Sequence, residues 1–413
     1  MRKKPIKDDP PLPDWHEPVR GGKHLRVLEE HVRALRRESD AHGNRQLFCD
    51  DVILAHLLAF FNPTLRSLRT IEDFSQTRQA QRHLSVRKLC RSTLSDFHRV
   101  TDPTILLPII QRLHAAVRKS PGPLPQGLPA TLGQVLAVDG SFFALAADVA
   151  WAVRHGTNSG EKRASARLDM HLDVSNWLPE IIDVCGADTS EAESAVRHIR
   201  PGAIHVYDRG IFSFELLRAQ IEAKAFFVHR MRERGPRQPQ FVIEQERPLS
   251  DADRAAGVLA DRVGYLAGST HRQAPTALLR EIIIQSPDQP DGQIRLLTNL
   301  MDLPAATVGL LYRYRWQVEL FFRWLKVFAN FEHMISHSQP GILLSFYVAV
   351  IGVLLLYLHL DAKPSKYAFS LLTLVANGGA TLEEIVPILK ERERQIALAK
   401  ASLARRQAKK KNA

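Results

Sequence analysis

An α/β protein with a mixed sheet, preceded by an all-helical module, is the fold class predicted by this chain of 413 residues. Three observations predict it. Residues 23 to 118 space their apolar side chains three and four apart, as amphipathic helices do. The stretch SPGPLPQGLP, residues 120 to 129, has the composition of a linker. After it the pattern changes to short apolar or alternating runs interleaved with helical ones, the signature of a sheet flanked by helices.

The elements follow in order. Residues 1–22 are charged and proline-rich, which predicts a disordered tail. Residues 23–129 are predicted to form a helical domain and its linker. HVRALRRE, DVILAHLLAFF, TLRSLRTIEDF and SVRKLCRSTLSDFHRV each carry an apolar stripe. In DPTILLPIIQRLHAAVRK, Asp102 stands as an N-cap with Pro103 at the first helical position. Residues 130–360 are predicted to form the α/β domain. QVLAVDGSFFAL reads as a strand that reaches Asp139. RLDMHLDVS alternates, with Leu168, Met170, Leu172 and Val174 on one face and Asp169, His171 and Asp173 on the other, which is expected to be exposed. WLPEIIDVCGAD is a third strand, SEAESAVRHI a short helix, and AIHVYDRG a fourth strand ending at Asp208. The helix FSFELLRAQIEA and the strand AFFVHRM follow. Three strands, a helix and a further strand is an RNase H-like order. Residues 233–292 are polar, rich in Pro, Gly and Gln, and predict an inserted, mostly β subdomain. IRLLTNL resumes the core, and Leu303 to Asn330 predict one long helix. C-terminal helices close the chain, with residues 361–413 a basic helical tail.

Net charge is +12, which points to an anionic partner. The excess is clustered. Arg78, Arg82, Arg87, Lys88, Arg91 and Arg99 face a single nearby acid, Asp96, and the tail adds Arg405, Arg406, Lys409, Lys410 and Lys411. Three cysteines without a CxxC pair exclude a disulfide framework and a zinc ribbon and predict a reducing cytosol. The basic N-terminus lacks an apolar run, so no signal peptide is expected. Ile342 to Leu360 carries no formal charge and nearly reaches spanning length; a buried core helix, with no membrane partner, is the expectation.

Tyr312, Arg315, Glu319 and Lys326 carry the strongest chemical signal. On a helix turning about 100° per residue their offsets fall within an arc of about 60°. Leu311, Val318, Phe321, Leu325 and Phe328 occupy the opposite side. A carboxylate beside two cations suits a site that grips phosphate and binds a metal. Asp139 and Asp208, each near the end of an apolar strand, are costly to bury without a partner. With Glu319 they would form a carboxylate pocket whose repulsion divalent cations relieve.

These residues resemble the DDE transposases of bacterial insertion sequences, in the insertion-sequence-four type marked by Tyr-x2-Arg-x3-Glu-x6-Lys. VDGS around Asp139 resembles the first-Asp block, YDRGIFSFELL around Asp208 the second, and LLTNLMDLPAATVGLLYRYRWQVELFFRWLK the block carrying the Glu. The resemblance covers residues 130 to 360. It implies a catalytic, metal-binding triad of Asp139, Asp208 and Glu319, holding two Mg²⁺ ions per site with Mn²⁺ as substitute. It implies DNA phosphate contacts by Tyr312, Arg315 and Lys326. Trp316 and Arg323 flank the stripe and are further candidates for DNA contact. Double-stranded DNA, both transposon ends and target, is the implied partner, bound by a homodimer or higher synaptic complex in the bacterial cytoplasm at the nucleoid. Some relatives flip a base onto an aromatic residue; Phe241 and Tyr265 are candidates here, though each reads more readily as a small-core residue. Cut-and-paste transposition is the expected function. A catalytically silent DNA-binding regulator and an RNase H-fold nuclease without strand transfer are the alternatives.

Overall fold

The computed structural model describes residues 22–38, 49–62, 65–118, 127–129, 131–144, 153–155, 162–186, 189–232, 239–267, 274–286, 292–328, 335–360, 371, 374 and 379–411. The chain divides into two compact units, residues 121–323, and residues 1–120 with 324–413. Of the tail expected to be disordered, residues 1–22, residues 1–21 lie outside the described residues, and Gly22 begins a 3₁₀ turn that ends at Leu28.

In the unit of residues 121–323 a mixed sheet is built outward from β1 (Val135–Ala144). β3 (Lys162–Asp173) pairs antiparallel along one edge of β1, placing Met170 opposite Asp139. β4 (Leu178–Cys185) and the short β2 (Val153–His155) share the far edge of β3. On its other edge β1 pairs in parallel with β5 (Ile204–Tyr207), and β6 (Phe226–Met231) lies parallel beyond that. All four residues of β5 are buried, as expected of a parallel strand covered on both faces.

The alternation of these strands separates two faces. Val138, Tyr207, Phe227 and Met231 join a core cluster with Ala195 of α6 (Glu191–Arg197) and Leu216 and Leu217 of α7 (Phe214–Glu222). Ser190 and Ser213 cap these helices through their side-chain oxygens. The intervening positions of the strands point to the opposite face.

The expected exposure of Asp169, His171 and Asp173 is corrected: all three are buried. β1 and β4 pair with the two edges of β3, and its polar face is closed over by groups from other segments, among them the Thr189 carbonyl, which accepts from Arg167, and the rings of His198 and His205 against His171. Their burial is made tolerable by partners. Arg167 donates to both carboxylate oxygens of Asp169 at 2.6 and 2.8 Å, and Gln134 donates to Asp173 at 3.0 Å. The His171 ring sits 5.6 Å from that of His205.

The segment expected as an inserted subdomain is β-rich, and its strands continue the same sheet. β10 (Gln293–Thr298) pairs antiparallel with β6, followed by β9 (Leu279–Gln285), β8 (Val258–Leu266) and β7 (Phe241–Glu246). The short helix α8 (Asp251–Ala255) precedes β8. This extension holds the start of the next helix, α9 (Ala305–Tyr314). Asp253 of α8 accepts from the Ala306 amide at 2.8 Å, satisfying a donor that the first helical turn leaves open. Arg280 of β9 is held by Asp261 through two bonds of 2.7 Å and donates to the carbonyls of Leu300 at 2.9 Å and Leu303 at 2.5 Å.

The single helix expected from Leu303 to Asn330 is two. α9 ends at Tyr314, and α10 runs Trp316–Phe328. Arg315 at the join keeps helical angles, but the turn tightens: its amide bonds to Tyr312 O and its carbonyl accepts from Val318 N, both three residues apart.

The other unit is helical. It comprises α1 (Glu29–Glu38), α2 (Cys49–Phe61), α3 (Leu68–Ser75), α4 (Arg91–Val100), α5 (Leu107–Arg118), α11 (Gln339–Leu360) and α12 (Leu382–Lys411). Asp102 caps the 3₁₀ turn that leads into α5, accepting from the Thr104 amide, with Pro103 following it. The apolar α11 is long and hydrophobic enough to span a bilayer, yet 83% of that stretch is buried. It packs against α2, α4 and α5. Gly352 permits this approach to α2: a β-carbon there would come within 2.3 Å of the Phe60 ring.

Candidate active site

The parallel pairing of β1 and β5 puts Val138 opposite Tyr207, so the next residues, Asp139 and Asp208, emerge side by side. Tyr312 and Arg315 reach them from the end of α9, and Glu319 from the first turn of α10. The helical pair is held by its apolar side: Leu311, Val318 and Phe321 are fully buried, and the Phe321 ring meets that of Trp177 at 4.9 Å. Trp177 turns the chain between β3 and β4 at φ +56°, a left-handed conformation that bulky residues rarely take. Its indole is thereby fixed beneath α10.

The three carboxylates meet around one guanidinium. Arg315 Nη1 lies 3.5 Å from Asp139 Oδ2, Nη2 lies 3.9 Å from Asp208 Oδ2, and Nη2 also donates to Glu319 Oε1. The Arg315 side chain is only 8% exposed, and its head lies 5.8 Å from the Tyr312 ring centre. The Tyr312 hydroxyl donates to Asp208 Oδ1 at 3.0 Å and accepts from Arg230 Nη1 at 3.2 Å. Arg230 Nη1 is itself 3.7 Å from Asp208 Oδ1.

The electrostatics differ between the two aspartates. Burial pushes the Asp139 carboxyl up to about 7, with Glu319 and Glu191 adding to the shift while Arg315 and the Gly140 amide oppose it. Burial also disfavours ionised Asp208, but Arg315, the Arg209 amide, Tyr312 and Arg230 outweigh it and hold that carboxyl below its ordinary value. The Arg315 guanidinium stays charged: burial works against it, and Asp208, Tyr312, Glu319 and Asp139 more than compensate.

Of the residues singled out in the sequence, Asp139, Asp208, Glu319, Tyr312 and Arg315 come together. Tyr312 and Arg315 are buried against the acids here. Lys326 is half-buried and lies about 10 Å further along α10 than Glu319, at about 1.5 Å of rise per residue. Trp316 and Arg323 are exposed on α10. Phe241 is half-buried against the core cluster and Tyr265 is 40% exposed on β8. In the helical unit Arg78, Arg82, Arg87, Lys88, Arg91 and Arg99 are all exposed. The side chains of the basic tail lie outside the described residues.

Two neighbours were missed by sequence reasoning. Arg230 is the charged residue in the otherwise apolar strand FFVHRM, and the β5–β6 register carries it to Asp208. A formal charge inside a buried-looking strand was the local signal; where that strand pairs was not legible. Glu191, at the start of α6, lies against the glycines that follow both aspartates: a β-carbon on Gly140 would come 2.7 Å from Glu191 Oε1, and one on Gly210 3.4 Å from Oε2. Burial raises its carboxyl, with Asp169 and Asp208 adding and Arg167 opposing. Nothing local in SEAESAVRHI marked it.

The donor set fits a hard divalent cation, being all carboxylate oxygen with more negative than positive charge. The centre of that set holds the guanidinium, and among the described residues no three His, Cys, Asp or Glu side chains are placed to enclose one metal ion.

Residues 130–355 match the family described as Transposase DDE domain. Two curated proteins are similar. A protein of Sinorhizobium fredii, provisionally named transposase y4zB, is 29% identical over 210 residues, covering 50% of this chain and 55% of the relative. One of Geobacillus stearothermophilus, provisionally named the transposase for insertion sequence element IS5377, is 27% identical over 215 residues, covering 50% of this chain and 51% of the relative. The chain thus spans about half the length of the curated relatives it matches.

Proposed function

This chain belongs to the transposase DDE domain family, and on that premise we propose that it is a cut-and-paste DNA transposase of the insertion-sequence-four type. Its reactions are hydrolysis of a strand at the element's end and attack of the freed 3′-hydroxyl on target DNA. Both are in-line phosphoryl transfers, so one site serves both. The observation that carries the reading is the meeting of Asp139, Asp208 and Glu319, far apart in sequence, around the single guanidinium of Arg315.

Asp139, Asp208 and Glu319 are the residues that hold divalent metal, two Mg²⁺ ions in the full site. When bound, these ions lower the pKa of the attacking water or hydroxyl and neutralise the leaving oxygen. Asp208 is already ionised and fixed by Tyr312 and Arg230, so it is the anchoring ligand. Tyr312, Arg315, Arg323, Lys326 and Trp316 supply phosphate and base contacts to the bound strand, the arginines by paired N–H donors. β1, β3, β4, β5 and β6 form an RNase H-like core, with the segment of residues 233–292 as its insertion. The helical residues 23–129 bind terminal inverted repeats through their exposed basic cluster, residues 130–360 cleave and join, and the tail of residues 361–413 adds affinity independent of sequence. Two ends are paired by a dimer or higher assembly.

The test uses DNA bearing the repeats that flank the reading frame. The parent chain is expected to nick the ends only when Mg²⁺ or Mn²⁺ is added. Asp139→Asn is expected to bind the same DNA within about threefold and to cut none of it. Cleavage by Asp139→Asn overturns the assignment of the site. Binding without cleavage by the parent chain leaves a silent regulator in its place.

A further inference from the structure

Arg315 occupies the position where positive charge is most needed. Three carboxylates face its head, yet the head is incompletely satisfied: Nε is buried without a hydrogen-bond partner, and two of its three ion pairs are 3.5 and 3.9 Å long. Two arginines, Arg315 and Arg230, supply the positive charge nearest three acids, and Arg230 reaches only Asp208. The oxygens that Arg315 touches on Asp139, Asp208 and Glu319 are those a cation at the centre would need. A guanidinium and a divalent ion cannot share them. Only the bond to Glu319 is close; toward the two aspartates the guanidinium is held mainly by charge, and there it can be exchanged for another cation.

We propose that Arg315 is the exchangeable counter-cation of this site: it holds the three acids together in the metal-free chain, and it leaves them for a DNA phosphate as the divalent ion enters. The inference rests on the metal-binding role assigned above to the acids and adds a competitor to it. Arginine is suited to both partners, since its planar head pairs with carboxylate and phosphate alike. Its position at the tightened join of α9 and α10 gives the swing a defined origin. DNA that draws the guanidinium away frees the acids, and metal that displaces it frees a phosphate-binding group. DNA and metal therefore bind with positive coupling, and each strengthens the other by the same factor. A chain built so keeps its acids neutralised until both are present.

Calorimetric titration of the full chain with Mn²⁺, without DNA, tests the competition. Arg315→Gln removes the charge and is expected to bind Mn²⁺ at least about tenfold more tightly than the parent, because the resident competitor is gone. Arg315→Lys keeps a cation there and is expected to stay within about threefold of the parent. A short duplex should tighten Mn²⁺ binding to the parent about tenfold and leave Arg315→Gln nearly unchanged. Equal or weaker Mn²⁺ binding by a folded Arg315→Gln overturns the proposal. Should that variant not fold, the parent decides: the Nε–Hε resonance of Arg315, identified by its loss in Arg315→Lys, must shift on saturation with Mg²⁺, and a resonance that stays in place overturns the proposal. Asp139→Asn separates the two levels. If it leaves Mn²⁺ affinity untouched, the acids are not the metal site and the proposal falls with that reading. If it weakens Mn²⁺ binding while Arg315→Gln fails to tighten it, the metal site stands and the exchange alone is wrong.

Discussion

Replacing Arg280 by Met should loosen the platform on which the candidate site is built, by an amount the structure allows to be worked out. Arg280 is 1% exposed and its partner Asp261 5%. The substitution removes two 2.7 Å bonds to Asp261 and strips the donor from the carbonyls of Leu300 and Leu303. Breaking a buried pair from one side costs about 3–5 kcal/mol, because the remaining charge is left in low dielectric. Arg247 lies 3.8 Å from Asp261 and is 35% exposed, so it offsets part of this, which favours the low end, about 3 kcal/mol. With a slope of about 2–3 kcal/mol per molar urea, the midpoint of the sheet-containing unit should fall by about 1 M. The double variant Arg280→Met with Asp261→Leu removes the stranded charge as well, and should recover to within about 1 kcal/mol of the parent. Urea unfolding followed by near-ultraviolet circular dichroism measures both. A single variant within about 0.5 kcal/mol of the parent, or a double variant no more stable than the single, would refute the reasoning.

Two further perturbations probe the neighbourhood of the aspartates. Gly140→Ala places a methyl 2.7 Å from Asp169 Oδ1 and 2.7 Å from Glu191 Oε1. Asp169 is pinned by Arg167, so strain of about 1–3 kcal/mol is expected in the same urea assay, and an unchanged midpoint would show that the carboxylates yield freely. The second variable is pH. Burial holds His205 down to about 4 and His229 down to about 3, the latter helped by His205. Both values lie below the ordinary 6.5, so the unfolded chain binds the extra protons. The stability these neutral rings contribute is fully present above pH 6.5 and is lost as pH falls through the folded values. For His205 alone the loss approaches about 3 kcal/mol by pH 4. Asp139, raised to about 7, works the other way over the same range, because its folded carboxyl keeps a proton that the unfolded one gives up. The two rings together outweigh it, so the urea midpoint should still decline below pH 6.5, and in Asp139→Asn, where the opposing group is gone, a flat profile from pH 6.5 to 4.5 would contradict the assignment.

Much of the architecture is legible along the chain because its causes are local. The apolar run IHVY, the capping serines Ser190 and Ser213, and the pairing of Asp102 with Pro103 act within a few residues of themselves. The spacing of Tyr312, Arg315 and Glu319 survives the tightening of the helix at Arg315, since two short-range bonds alter the helical turn by little. Where reading failed, burial was decided by distant segments. The alternation in RLDMHLDVS marks two faces and says nothing of what covers the polar one; the Thr189 carbonyl and the rings of His198 and His205 do that. Likewise, the Pro- and Gly-rich segment carries strands without stating that they add to the existing sheet at β10.

Local pattern along the chain settles the succession of strands and helices, the resemblance to a family, and which acids stand at strand ends or on the α9–α10 stripe. Tertiary structure alone decided that Asp139, Asp208 and Glu319 close on Arg315, that Arg230 and Glu191 join them, and that one aspartate is driven toward neutrality while its neighbour stays charged. The reason is one of range. Periodicity and capping are settled over a turn or a strand, whereas desolvation and charge pairing depend on the register between segments many residues apart.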